Sequence, residues 1–157
     1  CKSPSEQSSC NVFRIDQKTG NVDLIIDQLV KPNGLCFNKG ESKLYVSDTG
    51  GSHIEGGPRN IYSFDLMGET VASANPEFFA ECQNGLFDGF RIDSEERIWT
   101  SAADGVHCYN SAGDLIGKIK IPEIVSNVCF GGPRLNRLFI TGTTSLYSVY
   151  LAVNGIR

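Results

Sequence analysis

The sequence contains no apolar run close to the roughly 18–20 residues that a helix needs to cross a membrane. It also lacks a basic stripe, and its 14 Lys and Arg against 18 Asp and Glu give a net charge of −4. Neither a membrane nor a nucleic acid is therefore expected as a partner. The first residues lack the basic start and apolar core of a signal peptide. We expect a cytoplasmic, reduced protein, with secretion or a periplasmic location as alternatives.

Clustered cysteine and histidine ligands are absent as well. The six cysteines form no C-x-x-C pair, and neither of the two histidines stands at metal-ligand spacing, which argues against a zinc or redox motif. Three cysteines lie in apolar strand patterns and are expected to be buried thiols: Cys36, Cys108 and Cys129. The other three could form a disulfide in an exported protein, which the sequence leaves open: Cys1, Cys10 and Cys82.

No G-x-S-x-G motif is present, which disfavours a serine-triad hydrolase. The two histidines are His53, in a glycine-rich loop, and His107, in the alternating segment Val106–Tyr109. A histidine in such a strand is expected to pack or to face outward rather than to act in catalysis.

The helical period of 3.6 is missing over the ten or so residues that a helix requires. Short alternating segments recur instead, separated by turns of Gly, Asn and Asp, as in the predicted hairpin of Asn11–Asp16 and Val22–Ile26. This pattern predicts an all-β protein. A recurrence of about 40–55 residues favours the blades of a β-propeller over the alternative, a β-sandwich.

A repeated motif organises the chain. Segment 33–37 (Asn-Gly-Leu-Cys-Phe) recurs as 88–92 (Asp-Gly-Phe-Arg-Ile), and each is followed by a second predicted strand. A weaker copy at 126–130 places Ser126 where the others have Asn33 and Asp88. We interpret these segments as the innermost strands of successive blades.

The predicted organisation is a polar loop over residues 1–10 and a partial propeller over 11–157. Its expected parts are an outer hairpin at 11–30, a blade at 33–80, a blade at 85–120 and a partial blade at 125–151. The first blade is expected to contain a turn at 66–69 and an outer strand from Val71 to Ala80, and the third strand of the next blade is expected near 105–109. These amount to about three blades, whereas a propeller closes with four or more. Because open blade edges invite pairing with other chains, and the chain does not begin with Met, we expect a fragment of a longer protein or half of a symmetric assembly.

Antiparallel pairing predicts which loops lie near Asn33 and Asp88. The second strand of a blade returns to the end where the first began, so the loops after the second strands reach the same mouth of the channel. Candidate substrate-binding residues there are Asp48, Thr49, His53 and Asp104, with Arg59 beside them. The alternative for each is an ordinary solvated loop or turn residue, and Asn-Gly and Asp-Gly could also be simple turn chemistry.

Asn33 and Asp88 would offer an amide oxygen and a carboxylate to one channel. Hard oxygen ligands suit Ca²⁺, Mg²⁺ or Mn²⁺ better than Zn²⁺ or Cu²⁺, and two ligands are too few for Ca²⁺, so others must come from elsewhere. A bound cation polarises a carbonyl group and acidifies water. Asp88 could bind the metal or act as general base towards the attacking water.

Several segments, in one order, resemble the regucalcin/gluconolactonase/luciferin-regenerating-enzyme family, and gluconolactonase-like members in particular. The matching segments are 31–35, 44–50, 88–93, 98–101 and 129–132, and the likeness extends from about Asn11 to Gly155. The resemblance implies a six-bladed propeller that holds one divalent cation, Ca²⁺ first, with Mg²⁺, Mn²⁺ or Zn²⁺ as alternatives. It further implies Asn33 and Asp88 as metal ligands and Asp88 as catalytic base, whereas the family's glutamate ligand has no matching residue here.

The expected function is therefore metal-dependent hydrolysis of a sugar lactone, with part of the site on this chain. The alternative is a non-catalytic propeller segment that binds a metal or another protein. Two copies could also associate into a closed ring, a homodimer that completes the propeller.

Overall fold

The computed structural model describes residues 7–68, 70–71 and 75–156. Within these residues it contains fourteen β-strands and one short 3-10 helix at Gly50–Ser52. The strands are β1 (Val12–Ile15), β2 (Val22–Ile26), β3 (Pro32–Phe37), β4 (Lys43–Asp48), β5 (Asn60–Met67), β6 (Thr70–Val71), β7 (Glu77–Glu81), β8 (Phe90–Ile92), β9 (Ile98–Ala102), β10 (Gly105–Tyr109), β11 (Leu115–Lys120), β12 (Val125–Gly131), β13 (Arg137–Gly142) and β14 (Leu146–Tyr150). The predicted all-β class is confirmed, and no helix in this part of the chain is long and apolar enough to cross a membrane.

The strands form four antiparallel sheets. The hairpin sheet consists of β1 and β2, and the first sheet runs β3-β4-β5, with β6 and β7 both paired to β5. The second sheet runs β8-β9-β10-β11, and the third runs β12-β13-β14. The innermost strand of each of the last three sheets is thus its first in sequence, as the repeated motif predicts.

The chain's hydrophobic core is divided among three interfaces between successive sheets. Between the hairpin sheet and the first sheet lie Val12, Ile26, Leu29, Leu44, Val46 and Phe64. Between the first and second sheets lie Tyr45, Ile61, Ala80, Cys82, Phe87, Phe90, Ile92, Ile98, Ala102 and Tyr109. Between the second and third sheets lie Val106, Val125, Val128, Phe130, Leu138 and Ile140. The second sheet is therefore covered on both faces, and all five residues of β10 are buried.

Two details of the predicted strands are corrected. A single outer strand was expected from Val71 to Ala80, but β6 ends at Val71 and the edge resumes only at β7, with residues 72–74 outside the described part of the chain. Both short strands pair with the long strand β5, at its two ends. The predicted turn at 66–69 also begins later, because β5 continues to Met67.

The cysteines differ from the expected burial at one position. Cys108 is buried and Cys36 is half-buried, but Cys129 is exposed because it lies on the uncovered face of the third sheet. Cys10 and Cys82 are free thiols, and Cys1 lies outside the described residues.

Candidate functional site

Asn33 and Asp88 meet across two neighbouring sheets. Asn33 is the second residue of β3, and Asp88 lies two residues before β8. The Asn33 side chain lies near enough to the Asp88 carboxylate to lower its pKa. The structure therefore brings together the two residues that the repeated motif placed at equivalent positions.

Glycine makes this close approach possible. A Cβ on Gly34 would overlap the carbonyl oxygen of Asp88, and a Cβ on Gly89 would overlap the side chain of Asn127. The Gly89 N–H also donates to the carbonyl oxygen of Ser126 at 2.9 Å. The starts of β3, β8 and β12 consequently lie side by side, with the backbones closer than any larger residue permits.

The strand register changes at this place in two of the three sheets. The pairing of β3 with β4 shifts between Pro32 and Leu35, and that of β12 with β13 shifts between Val125 and Asn127. Such irregularities bend a strand and redirect its side chains, and they are common beside active sites. Here they occur at Asn33 and at its counterpart Ser126.

Two buried serines hold the backbone of the site, and the sequence reasoning did not single them out. The Ser47 Oγ accepts a hydrogen bond from the Gly34 N–H at 2.8 Å and lies 3.2 Å from the Asp88 carbonyl oxygen, so it bridges the two strands. The Ser101 Oγ accepts from the Asp88 N–H at 2.9 Å. Both serines are fully buried. The signal in the sequence was a hydroxyl residue at the end of each second strand.

Asp88 is in a partly desolvated environment. Burial raises the pKa of Asp88 above its ordinary value, and the nearby Asn33 side chain lowers it in part. Burial disfavours the charged form, so the carboxylate is a stronger proton acceptor than one in free solution. Asn33 itself is exposed, and the pair is accessible from solvent on that side.

Asp48 and Thr49 fasten the loop that precedes Asn33. The Asp48 carboxylate accepts backbone N–H bonds from Val30, Lys31 and Gly50 at 2.8–3.0 Å, and it is 2% exposed. Thr49 contacts the Lys31 carbonyl oxygen through both its N–H and its hydroxyl. Their contacts position the chain entering β3, and substrate binding by either residue stays a prediction.

The remaining predicted rim residues make local contacts. His53 lies 2.6 Å from Ser52 Oγ in the glycine-rich loop and is exposed. Asp104 lies 2.7 Å from Nε2 of the buried His107 and 3.3 Å from Nζ of Lys118. Burial raises the pKa of Asp104, but the hydrogen bonds from His107 and Lys118 outweigh it and leave that pKa below its ordinary value. His107 is packed, in agreement with the expectation that it is structural.

The donor set fits part of a cation site. In the described part of the chain, no group of three or more His, Cys, Asp or Glu residues could hold a metal ion. Asn33 and Asp88 nevertheless supply an amide and a carboxylate oxygen from neighbouring inner strands, which is the ligand chemistry of Ca²⁺ or Mg²⁺. They fit as two ligands of such an ion, with the others to be provided by further groups.

Comparison with known proteins identifies the family. Residues 1–144 match the pattern of the SMP-30/Gluconolactonase/LRE-like region. The chain belongs to this family. The predicted resemblance is thereby confirmed, and the motifs at Asn33 and Asp88 are those on which it was based.

Several members of the SMP-30/gluconolactonase family are similar to the chain. It is 32% identical to the pentonolactonase XacC of Haloferax volcanii over 143 residues, which cover 88% of the chain and 46% of that protein. It is 31% identical to a gluconolactonase of Zymomonas mobilis, over 92% of the chain and 41% of that protein. The solved structure of XC5397 from Xanthomonas campestris, described as a gluconolactonase, gives a TM-score of 0.81 at 30% identity over 99% of the chain and 48% of that structure. The chain thus spans about half the length of these relatives.

Proposed function

We propose that the chain carries part of the active site of a metal-dependent sugar-lactone hydrolase. The observation that carries this proposal is the close approach of the two inner strands that begin at Asn33 and Asp88, where a Cβ on Gly34 would overlap the Asp88 carbonyl oxygen. Relatives named pentonolactonase and gluconolactonase support a sugar lactone as substrate. The whole protein would then be a six-bladed propeller with this pair at one mouth of its channel.

The cofactor in this proposal is one divalent cation, with Ca²⁺ preferred over Mg²⁺, Mn²⁺ and Zn²⁺. Asn33 and Asp88 would hold it, since both offer oxygen ligands. When bound, such an ion polarises a carbonyl oxygen and stabilises the charge that develops there.

The chain's own residues would handle the proton. Asp88 accepts it from the water that attacks the lactone carbonyl, and its partial burial favours this role. The bond between the carbonyl carbon and the ring oxygen then breaks, and the ring oxygen takes up a proton to give the open hydroxy acid. The nearby Asn33 side chain favours the charged form of Asp88, and the Ser101 hydroxyl fixes the Asp88 backbone.

The substrate would enter from the exposed side of Asn33. Thr49, His53 and Asp104 remain the proposed substrate-binding residues of the rim, whereas the Asp48 carboxylate is engaged with three backbone N–H groups. We further propose a cytoplasmic protein that acts on a small molecule and binds neither nucleic acid nor membranes.

A hydrolysis assay with Ca²⁺ present tests the proposal. The substrates are glucono-1,5-lactone and a pentonolactone, and the release of acid is measured. Asp88→Asn is expected to reduce the rate by about a hundredfold or more, because a general base typically contributes 10²–10⁴-fold. Asp65→Asn, on an exposed carboxylate that pairs with Lys43, is the matched control and should retain activity. Wild-type turnover by Asp88→Asn would refute the assigned role.

The second candidate is a non-catalytic segment that binds a cation. It is favoured by the small donor set, which offers Asn33 and Asp88 but no cluster of three titratable ligands in the described residues. Calorimetry that detects Ca²⁺ binding lost in Asp88→Asn, together with no turnover by the wild-type chain, would select this candidate.

A further inference from the structure

The third inner strand departs from the repeat at one position. The first two inner strands have glycine directly after their opening residue, at Gly34 and Gly89, whereas the third has Asn127. The pairing of β12 with β13 shifts between Val125 and Asn127, and Ser126 and Asn127 are both exposed. The irregularity therefore interrupts the alternation of buried and exposed side chains, and it presents a second polar side chain at the start of β12.

The Asn127 amide occupies a space that Gly89 leaves open. A Cβ on Gly89 would overlap the Oδ1, Cγ and Nδ2 atoms of Asn127, which are its three nearest neighbours. A Cβ on Gly34, in contrast, would meet only main-chain atoms of the next strand. The flat amide group of Asn127 thus lies against the main chain of Gly89, in a place where the other inner strands have no side chain.

Asn127 lies beside Asp88 across a main-chain hydrogen bond. The Gly89 N–H donates to the Ser126 carbonyl oxygen at 2.9 Å. This bond joins the residue after Asp88 to the residue before Asn127, and strands bonded in this way lie about 4.8 Å apart. The start of β3 approaches Asp88 from one side, and the start of β12 approaches it from the other. The Asn127 amide is therefore a neighbour of the proposed general base.

The direction of the amide follows from its hydrogen bond. Asn127 Oδ1 accepts from the Val128 N–H at 2.8 Å, and in the described part of the chain the Asn127 side chain makes this hydrogen bond alone. A backbone N–H can only donate, so the oxygen faces Val128 and the Nδ2 group is directed away from it. An exposed amide NH₂ group offers two donors to a neutral acceptor such as a hydroxyl or carbonyl oxygen.

The main chain that carries Asn127 is held on two sides. The Thr141 hydroxyl donates to the Asn127 carbonyl oxygen at 3.2 Å, and the preceding carbonyl oxygen accepts from Gly89. A donor on a fixed strand, whose own oxygen is already bonded, has little freedom to lose when a ligand binds. The amide is thus preorganised as a binding group.

We propose that Asn127 is a specificity-determining residue of this site, whose Nδ2 group donates a hydrogen bond to the hydroxyl group next to the carbonyl of a sugar lactone. The inference rests on the proposed function, which places the lactone carbonyl at Asp88. The hydroxyl on the adjacent ring carbon is the sugar group nearest to that carbonyl, and Asn127 is the neighbour of Asp88 on β12. Because the amide carries no charge, it distinguishes hydroxylated lactones from deoxygenated ones.

A pair of lactones tests this recognition. Asn127→Ala should lower kcat/KM for glucono-1,5-lactone by about two- to tenfold, the effect of losing one neutral hydrogen bond, and should leave kcat/KM for 2-deoxyglucono-1,5-lactone unchanged. Calorimetry should show an unchanged Ca²⁺ affinity, since Asn127 is not a proposed cation ligand. Ser126→Ala is the matched control and should retain both rates, because the Ser126 hydroxyl lies 2.9 Å from Thr141 Oγ1 of its own sheet. Equal losses for both lactones, or no loss for either, would overturn the proposal.

A double-mutant cycle with Gly89 separates recognition from folding. Gly89→Ala places a methyl group where the Asn127 amide lies and should displace it, so the preference for the hydroxylated lactone should fall as it does in Asn127→Ala. The double variant should lose no more than either single variant, because both changes remove the same contact. Circular dichroism verifies that each variant is folded. Additive losses of the preference in folded variants would contradict the proposal.

Binding of D-gluconate separates this inference from the proposed function. If the wild-type chain hydrolyses no lactone, calorimetry with D-gluconate and 2-deoxy-D-gluconate in the presence of Ca²⁺ measures the same contact. Tighter binding of gluconate by the wild type, and equal binding of the two acids by Asn127→Ala, would refute catalysis and support the recognition. A chain that hydrolyses lactones but loses no preference in Asn127→Ala would refute this inference alone. Neither turnover nor gluconate binding would refute both.

Discussion

The three inner strands open in the same way in sequence, yet they differ in what their first side chains do. At β3 and β8, Asn33 and Asp88 stand at the starts of neighbouring strands and are the proposed ligands of a cation. At β12, the Ser126 hydroxyl lies 2.9 Å from Thr141 Oγ1 of its own sheet. In all three sheets a hydroxyl of the second strand bonds the backbone at the start of the inner strand. Ser47 and Ser101 accept from a backbone N–H, whereas Thr141 donates to a backbone carbonyl oxygen.

The difference shows that the residue that supports each inner strand and the residue that could act on a ligand vary independently in this repeat. The hydroxyl at the end of the second strand is present in each sheet, whereas the side chain at the opening changes from amide to carboxylate to hydroxyl. The repeat therefore determines the position of the first side chain of each inner strand but not its chemical type.

The largest expected effect concerns the residue immediately before each opening, meaning before the first residue of the repeated motif at Asn33, Asp88 or Ser126. Phe87 is fully buried and packs edge-to-face on Tyr109, with ring centroids 5.6 Å apart, while the equivalent Val125 is smaller. Phe87→Ala is expected to lower the free energy of unfolding by about 3–5 kcal/mol, as for other buried aromatic side chains. Urea denaturation measures this loss.

Val125→Ala is the matched control and should cost less, because it removes a smaller buried volume. Where Phe87→Ala does not fold, Phe87→Leu keeps the comparison measurable. A loss for Phe87→Ala no larger than that for Val125→Ala would contradict the prediction.

The second prediction concerns the supporting hydroxyls. Ser47→Ala and Ser101→Ala are each expected to weaken Ca²⁺ binding by about tenfold or more, because groups that orient ligands typically contribute 10–100-fold to metal affinity. Thr141 supports the start of β12, where no cation ligand is predicted, so Thr141→Val should leave the Ca²⁺ affinity unchanged. Calorimetry measures the affinities, and an equal loss in all three variants would mean that the hydroxyls affect only folding.

The smallest effect lies in the third sheet. Hydrogen bonds from the Thr144 N–H and then from the Tyr147 and Ser145 hydroxyls lower the pKa of Glu123 from 4.5 to about 2. A carboxyl group with a lowered folded-state pKa adds stability that is fully present above pH 4.5 and is lost as pH falls towards 2. Glu123→Gln should therefore reduce the dependence of unfolding free energy on pH across that window.

Comparison of the two proteins at each pH isolates this effect, since Asp16 and Asp104 also have lowered pKa values. Parallel curves of unfolding free energy against pH for the wild type and Glu123→Gln would contradict the prediction. A corresponding change is not expected at the Asn33–Asp88 opening, where burial raises the pKa of Asp88.

Much of the fold was predictable because strands and turns depend on local pattern. Period-two alternation located β2 and β10 with the observed bounds. The alternation does not show which face of a sheet is covered by another sheet, and for that reason Cys129 was expected to be buried. The break between β6 and β7 was missed because pairing with β5, rather than local sequence, sets where each strand begins.

The candidate site was predictable where the repeat aligned its residues and not where contacts cross the sheets. Equivalent positions led directly to Asn33 and Asp88. The bridge from Ser47 to the Asp88 backbone spans 41 residues and follows only from the packing of two sheets. Asp48 was expected at the channel mouth because it stands at the end of a second strand. Its burial and its three backbone partners depend instead on the path of the preceding loop.

Gly34 and Gly89 have a bearing on which molecules the proposed channel admits. Their missing methyl groups allow three strands to lean together at one end, and a single added carbon at either position would collide with the neighbouring strand. At Gly34 the limiting atoms belong to the main chain of Asp88, whereas at Gly89 they belong to the side chain of Asn127. Widening the proposed channel between β3 and β8 would therefore have to displace whole sheets, whereas a single substitution at Asn127 could alter the space beside β12.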